Sequence, residues 1–276
     1  MNGLVRVLKR IVVPTTLACL GALLSGCAGL KPQPFTFVQL CDPQIGFGDY
    51  QADLSRLERA IAQVNTRRPD FVVICGDLVN RPDEKSFRDF QAARRTLEAP
   101  SYCAPGNHDL GNAPTLQSLS NYRRLIGKDY LSFSHKGSVF IVLNTQLWRA
   151  PIAGETERQE AWMYKTLEAA ARMNRPVFVV LHYPPFVKTA DEPTEYFNIP
   201  LQKRRELLAA FERYGVVAIL AGHTHTTTFH TYSNTQIVTS ETTSKNFDKR
   251  PFGFRLWTVS PGGTFHHEFE ALKEQD

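Results

Sequence analysis

Five short stretches of this sequence carry side chains able to hold a metal or move a proton: Asp42-Pro43-Gln44, Gly76-Asp77, Gly106-Asn107-His108-Asp109, His182 and Gly222-His223-Thr224-His225. Taken alone, any one of them could be a polar turn. Their donors are carboxylates, amide oxygens and imidazoles, a mixture that suits borderline divalent ions such as Mn, Fe or Zn. One metal takes three or four donors. Seven potential donors among Asp42, Gln44, Asp77, Asn107, His108, His182, His223 and His225 fit two metals that share a carboxylate, an arrangement that clamps the attacking and leaving oxygens of a phosphoryl group.

Chemistry of that kind needs elements that bring distant residues together. Phe35 to Cys41 reads as a strand, and Leu54, Leu57, Ile61 and Val64 fall on one face of a helix over about 50–66. Phe71 to Cys75 is a continuous apolar run of the type buried on both faces in parallel sheets. Phe87, Phe90 and Leu97 mark a second helix, and Ser101 to Ala104 is a third strand. The order is therefore β-α-β-α-β, with each strand running into a carboxylate or amide, which is where open α/β sheets place ligands. Further along, the pattern predicts a helix near 115–126, a hairpin of 130–134 with 139–144, a helix over 156–173, a buried strand over 176–181, a loop over the site at 186–199, a helix at 201–214 and a strand at 216–220. Three or four β-rich segments close the chain, among them 236–239, 254–259 and 264–269.

The five blocks, in this order and each at an expected strand end, resemble the calcineurin-like metallophosphoesterase family over essentially the whole chain after its leader. The resemblance implies a four-layer α/β/β/α sandwich, two mixed sheets flanked by helices, and hydrolysis of phosphoesters by a dimetal-activated hydroxide. Carried over by position, Asp42, Asp77 and His225 hold one ion, and Asp77, Asn107, His182 and His223 hold the other. His108 then stabilises the transition state or protonates the leaving oxygen, and Asp109 orients its imidazole. Gln44 stands where most members have histidine. Its amide oxygen is a weaker donor toward borderline ions, so the first site should bind less tightly or favour Mg or Mn over Zn and Fe, and the resident pair stays open among Mn, Fe, Zn and Mg. The Asp-Pro-Gln form is similar to a subgroup of protein serine/threonine phosphatases, a likeness that Leu143 to Trp148 extends. Asn80, Arg81 and Asn144 are candidate phosphate contacts, although such residues also finish turns.

The chain has 276 residues, 42% of them hydrophobic, enough for one large core at residues 35–271, with 272–276 as a tail. Residues 1–26 have the build of an export signal: Arg6, Lys9 and Arg10, then a largely apolar run from Ile11 to Leu24. Leu24-Ser25-Gly26-Cys27 resembles the lipobox of bacterial lipoproteins, which implies a lipid on Cys27, a tether over 27–34 and a place at the outer membrane facing the periplasm. Losing the three leader cations takes the net charge from +5 to +2, so no electrostatic case for nucleic acid survives. Cys41, Cys75 and Cys103 are odd in number, lie in strand-like runs and read as small buried hydrophobes. His135, His230, His266 and His267 lack metal-type spacing, and Trp148, Trp162 and Trp257 read as packing.

Three functions compete on these residues. The first is a phosphomonoesterase. The second is a phosphodiesterase or nucleotide hydrolase on the same centre. In the third, a lipid-anchored binding protein has lost turnover through Gln44. Lys188 is the cation that the 186–199 loop offers to a terminal phosphate.

Overall fold

The structure, a computed structural model, describes residues 33–273. The expected leader and Cys27, the expected site of a lipid, lie outside them, as does part of the tail. Along the chain run β1 (Phe35–Leu40), α1 (Tyr50–Arg67), β2 (Phe71–Cys75), α2 (Glu84–Arg94), β3 (Ser101–Ala104), α3 (Asn107–Leu110), α4 (Leu116–Leu125), β4 (Leu131–His135) and β5 (Ser138–Val142). There follow α5 (Gln146–Arg149), α6 (Glu155–Arg172), β6 (Val177–Val180), α7 (Leu201–Arg213), β7 (Val216–Ala221), β8 (Thr228–Tyr232), β9 (Thr235–Thr239), β10 (Gly253–Val259) and β11 (Phe265–Ala271).

Local chemistry explains the boundaries. Asp49 starts α1 by accepting from the Ala52 amide at 2.8 Å, and Asp83 starts α2 by accepting from Ser86 at 2.8 Å, each satisfying an orphan N–H of the first turn. Leu57, Ala60, Ile61 and Val64 form the buried face of α1. Leu97, expected within α2, lies past its end and packs against the core from the following turn. The short α3 and α5 have no sequence periodicity, because one turn is too short to have any.

Two sheets result, in the order β11-β10-β1-β2-β3 and β4-β5-β6-β7-β9-β8. In the first, β1, β2 and β3 are parallel and β10 returns antiparallel to β1. In the second, β5, β6, β7 and β9 are parallel, with β4 and β8 as antiparallel edges. Three apolar layers define the four-layer sandwich. One lies between the first sheet and α1, α2 and α4, and another between the second sheet and α6 and α7. The third lies between the sheets and is rich in aromatic rings, Phe37, Phe71, Phe140, Phe178 and Trp257 among them. Phe140 meets Phe178 with ring centroids 4.8 Å apart and Phe71 at 4.8 Å edge-on. Gln39 crosses this layer: its amide donates to the carbonyls of Ala221 and Val238, and its oxygen accepts from the Trp257 indole at 3.1 Å.

Cys41, Cys75 and Cys103 are free thiols and buried, as read from the sequence. Burial pushes the Cys103 thiol up to about 11, which removes thiolate chemistry. His135 pairs with Asp70, His230 meets the Val187 carbonyl and His267 meets Arg255, so these imidazoles have structural partners.

Candidate metal centre

The oxygen donors come from the first sheet. As β1 and β2 end, their loops run together: the Gln44 amide donates to the Asp77 carbonyl at 2.8 Å, and Asn80 donates to Ile45 at 3.0 Å. This places Asp42, Gln44 and Asp77, all essentially buried, on one wall. Asp77 Oδ1 accepts from the His108 amide at 2.9 Å, which fixes the third loop against the second. The loops meet so closely that a Cβ on Gly106 would overlap the Asp77 carboxylate and amide, and one on Gly222 would overlap the Asp42 carboxylate. Glycine in these motifs is therefore a matter of space. Gln44 gives its amide to Asn80 Oδ1 at 3.3 Å and leaves its buried Oε1 without a hydrogen-bond partner. An orphaned buried acceptor on the wall that also carries Asp42 and Asp77 suits a cation ligand.

The nitrogen donors come from the second sheet, from His182 beyond β6 and from His223 and His225 beyond β7. Each imidazole has one nitrogen on a peptide carbonyl. His182 Nδ1 meets Cys75 O at 2.8 Å, His225 Nδ1 meets Lys245 O at 2.6 Å, and His223 Nε2 meets Tyr196 O at 3.2 Å. A carbonyl can only accept, so each of those nitrogens bears the proton and the opposite nitrogen of the neutral ring is a lone pair. This is the outer support that metal-binding imidazoles use. The lone-pair atom of His182, Nε2, faces Asn107 Oδ1 at 3.1 Å and Asp77 Oδ1 at 3.3 Å, and His225 Nε2 faces Asp42 Oδ1 at 3.8 Å. Donor atoms of Asp77, His182 and His223 all lie within 4.8 Å of one another.

Acceptors facing acceptors demand positive charge between them. The electrostatics agree. Burial opposes charge on His182, yet the Asp77 carboxylate outweighs it and pushes the imidazole up to about 9, so a proton shares Nε2 with the carboxylate and a metal binding there would displace it. Burial also opposes charge on Asp77, and the His182 cation outweighs that too, holding the carboxyl below its usual range. Burial raises Asp42 to about 6 and drives His223 well below an ordinary imidazole. Two divalent ions fit this donor set, with Asp77 between Asp42, Gln44 and His225 on one side and Asn107, His182 and His223 on the other.

The expectation for Asp109 is corrected. Its carboxylate accepts from Leu78 at 2.9 Å, Val79 at 3.2 Å and Gly106 at 2.7 Å, and so binds the turn after β3 to the turn after β2. The His108 imidazole is oriented by the Asn80 carbonyl, 3.0 Å from Nδ1. Asn144 is corrected as well. It is fully buried, donates to Asp129 at 3.0 Å and accepts from the Gln146 amide at 3.1 Å, so both of its polar side-chain atoms are engaged inside the fold. Asn80 and Arg81 border a cleft of about 270 Å³ with Gly46, Gly48 and Tyr50. Sequence reading missed the carbonyls of Cys75, Tyr196 and Lys245, since a backbone oxygen has no residue signature. It also missed the segment after β9, although Ser240 to Ser244, a polar run that is wholly buried, was a visible oddity.

Comparison with known proteins follows the geometry. The profile described as calcineurin-like phosphoesterase matches residues 43–227. Serine/threonine-protein phosphatase CPPED1 of Rattus norvegicus is 32% identical over 261 residues, covering 86% of this chain and 84% of that protein. Glycerophosphodiester phosphodiesterase GpdQ of Enterobacter lignolyticus (strain SCF1) is 29% identical over 224 residues, 75% of each chain. Among solved structures, a dimetal phosphatase from Danio rerio has a TM-score of 0.65 at 17% identity, covering 84% of this chain and 98% of that one, a likeness of fold.

Proposed function

From the premise that this chain belongs to the calcineurin-like phosphoesterase family, we propose that it hydrolyses phosphomonoesters while held at the bacterial outer membrane, on the periplasmic side, by a lipid on Cys27. The observation that carries the catalytic part is the set of three imidazoles whose protons are pinned by carbonyls, turning their lone pairs toward Asp42, Asp77 and Asn107. Asp42, Gln44, Asp77, Asn107, His182, His223 and His225 would hold two divalent ions, which would supply positive charge for the phosphoryl oxygens and lower the pKa of water.

The chain's own residues do the rest. Asp77, nearly inaccessible, supplies the charge common to both halves of the donor set. The Asn80 carbonyl keeps a proton on His108 Nδ1, so Nε2 is the atom that exchanges protons, and in the imidazolium form it is the one that gives a proton to the leaving oxygen. Arg81 is exposed, has no carboxylate partner among the described residues, and can receive an anionic part of the substrate at the cleft edge. Likeness to CPPED1, a serine/threonine-protein phosphatase, supports the monoester reading and likeness to GpdQ, a glycerophosphodiester phosphodiesterase, supports a diester reading, the former over more of the chain.

The test strips the full chain of metal, reloads it separately with Mn, Mg, Fe or Zn, and compares 4-nitrophenyl phosphate with its bis-ester. Metal-dependent turnover favouring the monoester is expected. Preference for the diester would transfer the reading to a phosphodiesterase. Metal binding without turnover would favour the binding protein with Gln44 at fault. Cys27→Ala should release the chain from the membrane fraction, and its retention there would overturn the anchor.

A further inference from the structure

Seven large apolar side chains of the described residues are exposed, and three of them, Tyr196, Phe197 and Phe247, lie against imidazoles of one centre. Tyr196 and Phe197 stand 5.1 and 5.4 Å from the His223 ring and pack edge-on against each other at 5.0 Å. On the other side, Phe247 stacks on His225 at 5.1 Å with an interplanar angle of 28°, and Phe47 is 5.3 Å from the same ring. We infer that these two aromatic pairs, one beside each half of the donor set, seat a planar aromatic group carried by the phosphoester substrate. The inference rests on the phosphoesterase reading and names the substrate class for that site.

Rings present only to keep water from the imidazoles would be covered themselves. Here Tyr196 is 46%, Phe197 38% and Phe247 48% exposed, while His223 and His225 behind them are 3% and 4% exposed. The segments carrying the rings are held in place. Arg149 donates to the carbonyls of Glu195 and Asn198, Asn198 donates to Glu192, and the Tyr196 hydroxyl accepts from Asn107. The Phe247 amide donates to the His225 carbonyl at 2.7 Å. Apolar faces fixed open toward water beside a site for phosphate suit a substrate that is polar at phosphorus and flat and apolar next to it. A benzene ring and a nucleobase share that chemistry.

The experiment measures binding of phenylphosphonate and methylphosphonate to the full chain loaded with Mn, so that it reads out even if turnover is absent. Phenylphosphonate should bind roughly tenfold more tightly, the gain of one aromatic contact, and the ratio should fall toward one in the Phe197→Ala Phe247→Ala variant. Both positions are exposed, and an unchanged thermal midpoint verifies folding. Equal affinities in the parent, or a ratio untouched by the double variant, would overturn the aromatic seat while leaving the phosphoesterase reading intact. Failure of either phosphonate to compete with inorganic phosphate would overturn both. Kinetic ratios for 2-phenylethyl phosphate over ethyl phosphate, and AMP over ribose 5-phosphate, then separate a benzene ring from a nucleobase as the preferred group. Ratios near one for both pairs would also overturn the seat.

Discussion

Asp42, Gln44, Asp77, His223 and His225 hold their backbones at φ of 45°, 35°, 46°, 70° and 51°, in the left-handed region that side chains rarely adopt. Each such residue costs on the order of 1–3 kcal/mol, and the cluster persists because the surrounding loops over-determine it. His108 and Asp109 give the sharpest test at this scale, being neighbours with separate tasks. His108→Ala should keep its metal and lose roughly 10²–10⁴ in kcat, the usual worth of a positioned acid. Asp109→Asn should instead weaken metal binding by roughly 10–100-fold, because it loosens the turn that carries Asn107, without moving the acidic or basic limbs of the pH–rate profile. Metal titration and pH–rate curves on the two variants distinguish these outcomes. Donor types were legible in the sequence because carboxylate, amide and imidazole recur at strand ends. The partner of His108 was not, because a carbonyl from Asn80 competes with an adjacent carboxylate and only geometry decides between them.

Two loops that carry no regular structure hold two of the three imidazoles, His223 and His225, in place. In the 186–199 segment, Glu192 accepts from the amides of Val187, Lys188 and Thr189 and from Asn198. Partial burial opposes its charge, but those four donors outweigh it and hold the carboxyl at about 2, against an ordinary 4.5. A depressed carboxylate contributes stability fully above its unfolded pKa and loses it as pH falls toward the folded one. This loop should therefore loosen between about pH 4.5 and 2, and Glu192→Gln should loosen it at neutral pH. Hydrogen exchange at Val187, Lys188 and Thr189, corrected for intrinsic rate, checks both; equal protection at pH 6 and pH 3 would refute the assignment. Behind β9, Glu241 is buried and pairs with Arg255 at 2.7 Å, while Arg56 of α1 donates to Thr243 and Ser244, so Lys245 delivers its carbonyl from a pinned segment. Absence of a period marked 186–199 as loop. Nothing periodic could show which carbonyls it lends.

Over the whole molecule, oxygen and nitrogen donors divide by sheet: Asp42, Gln44, Asp77 and Asn107 from the first, His182, His223 and His225 from the second. Bound ions would thus cross-link the two halves at one end, adding to the aromatic layer, Gln39 and the Asp70–His135 pair that already join them. Removing metal with a chelator should lower the melting temperature by roughly 5–10 °C, the linkage expected at about a hundredfold excess over Kd for a domain of this size. Phe140→Ala should cost about 3–5 kcal/mol in denaturant unfolding, from a cavity at the centre of the interlayer. Strand order along the chain could be read from apolar runs. The return of β10 and β11 to the first sheet beside β1 could not, because pairing across more than 200 residues leaves no local pattern. The division of donors by sheet also sets when the chain can be loaded. A growing polypeptide that has emerged as far as Asn107 owns every oxygen ligand and no imidazole among the donors. The centre is complete only once His225 has followed and both sheets have closed, so metal is acquired after synthesis has passed that residue, from whatever ions the folded chain then meets.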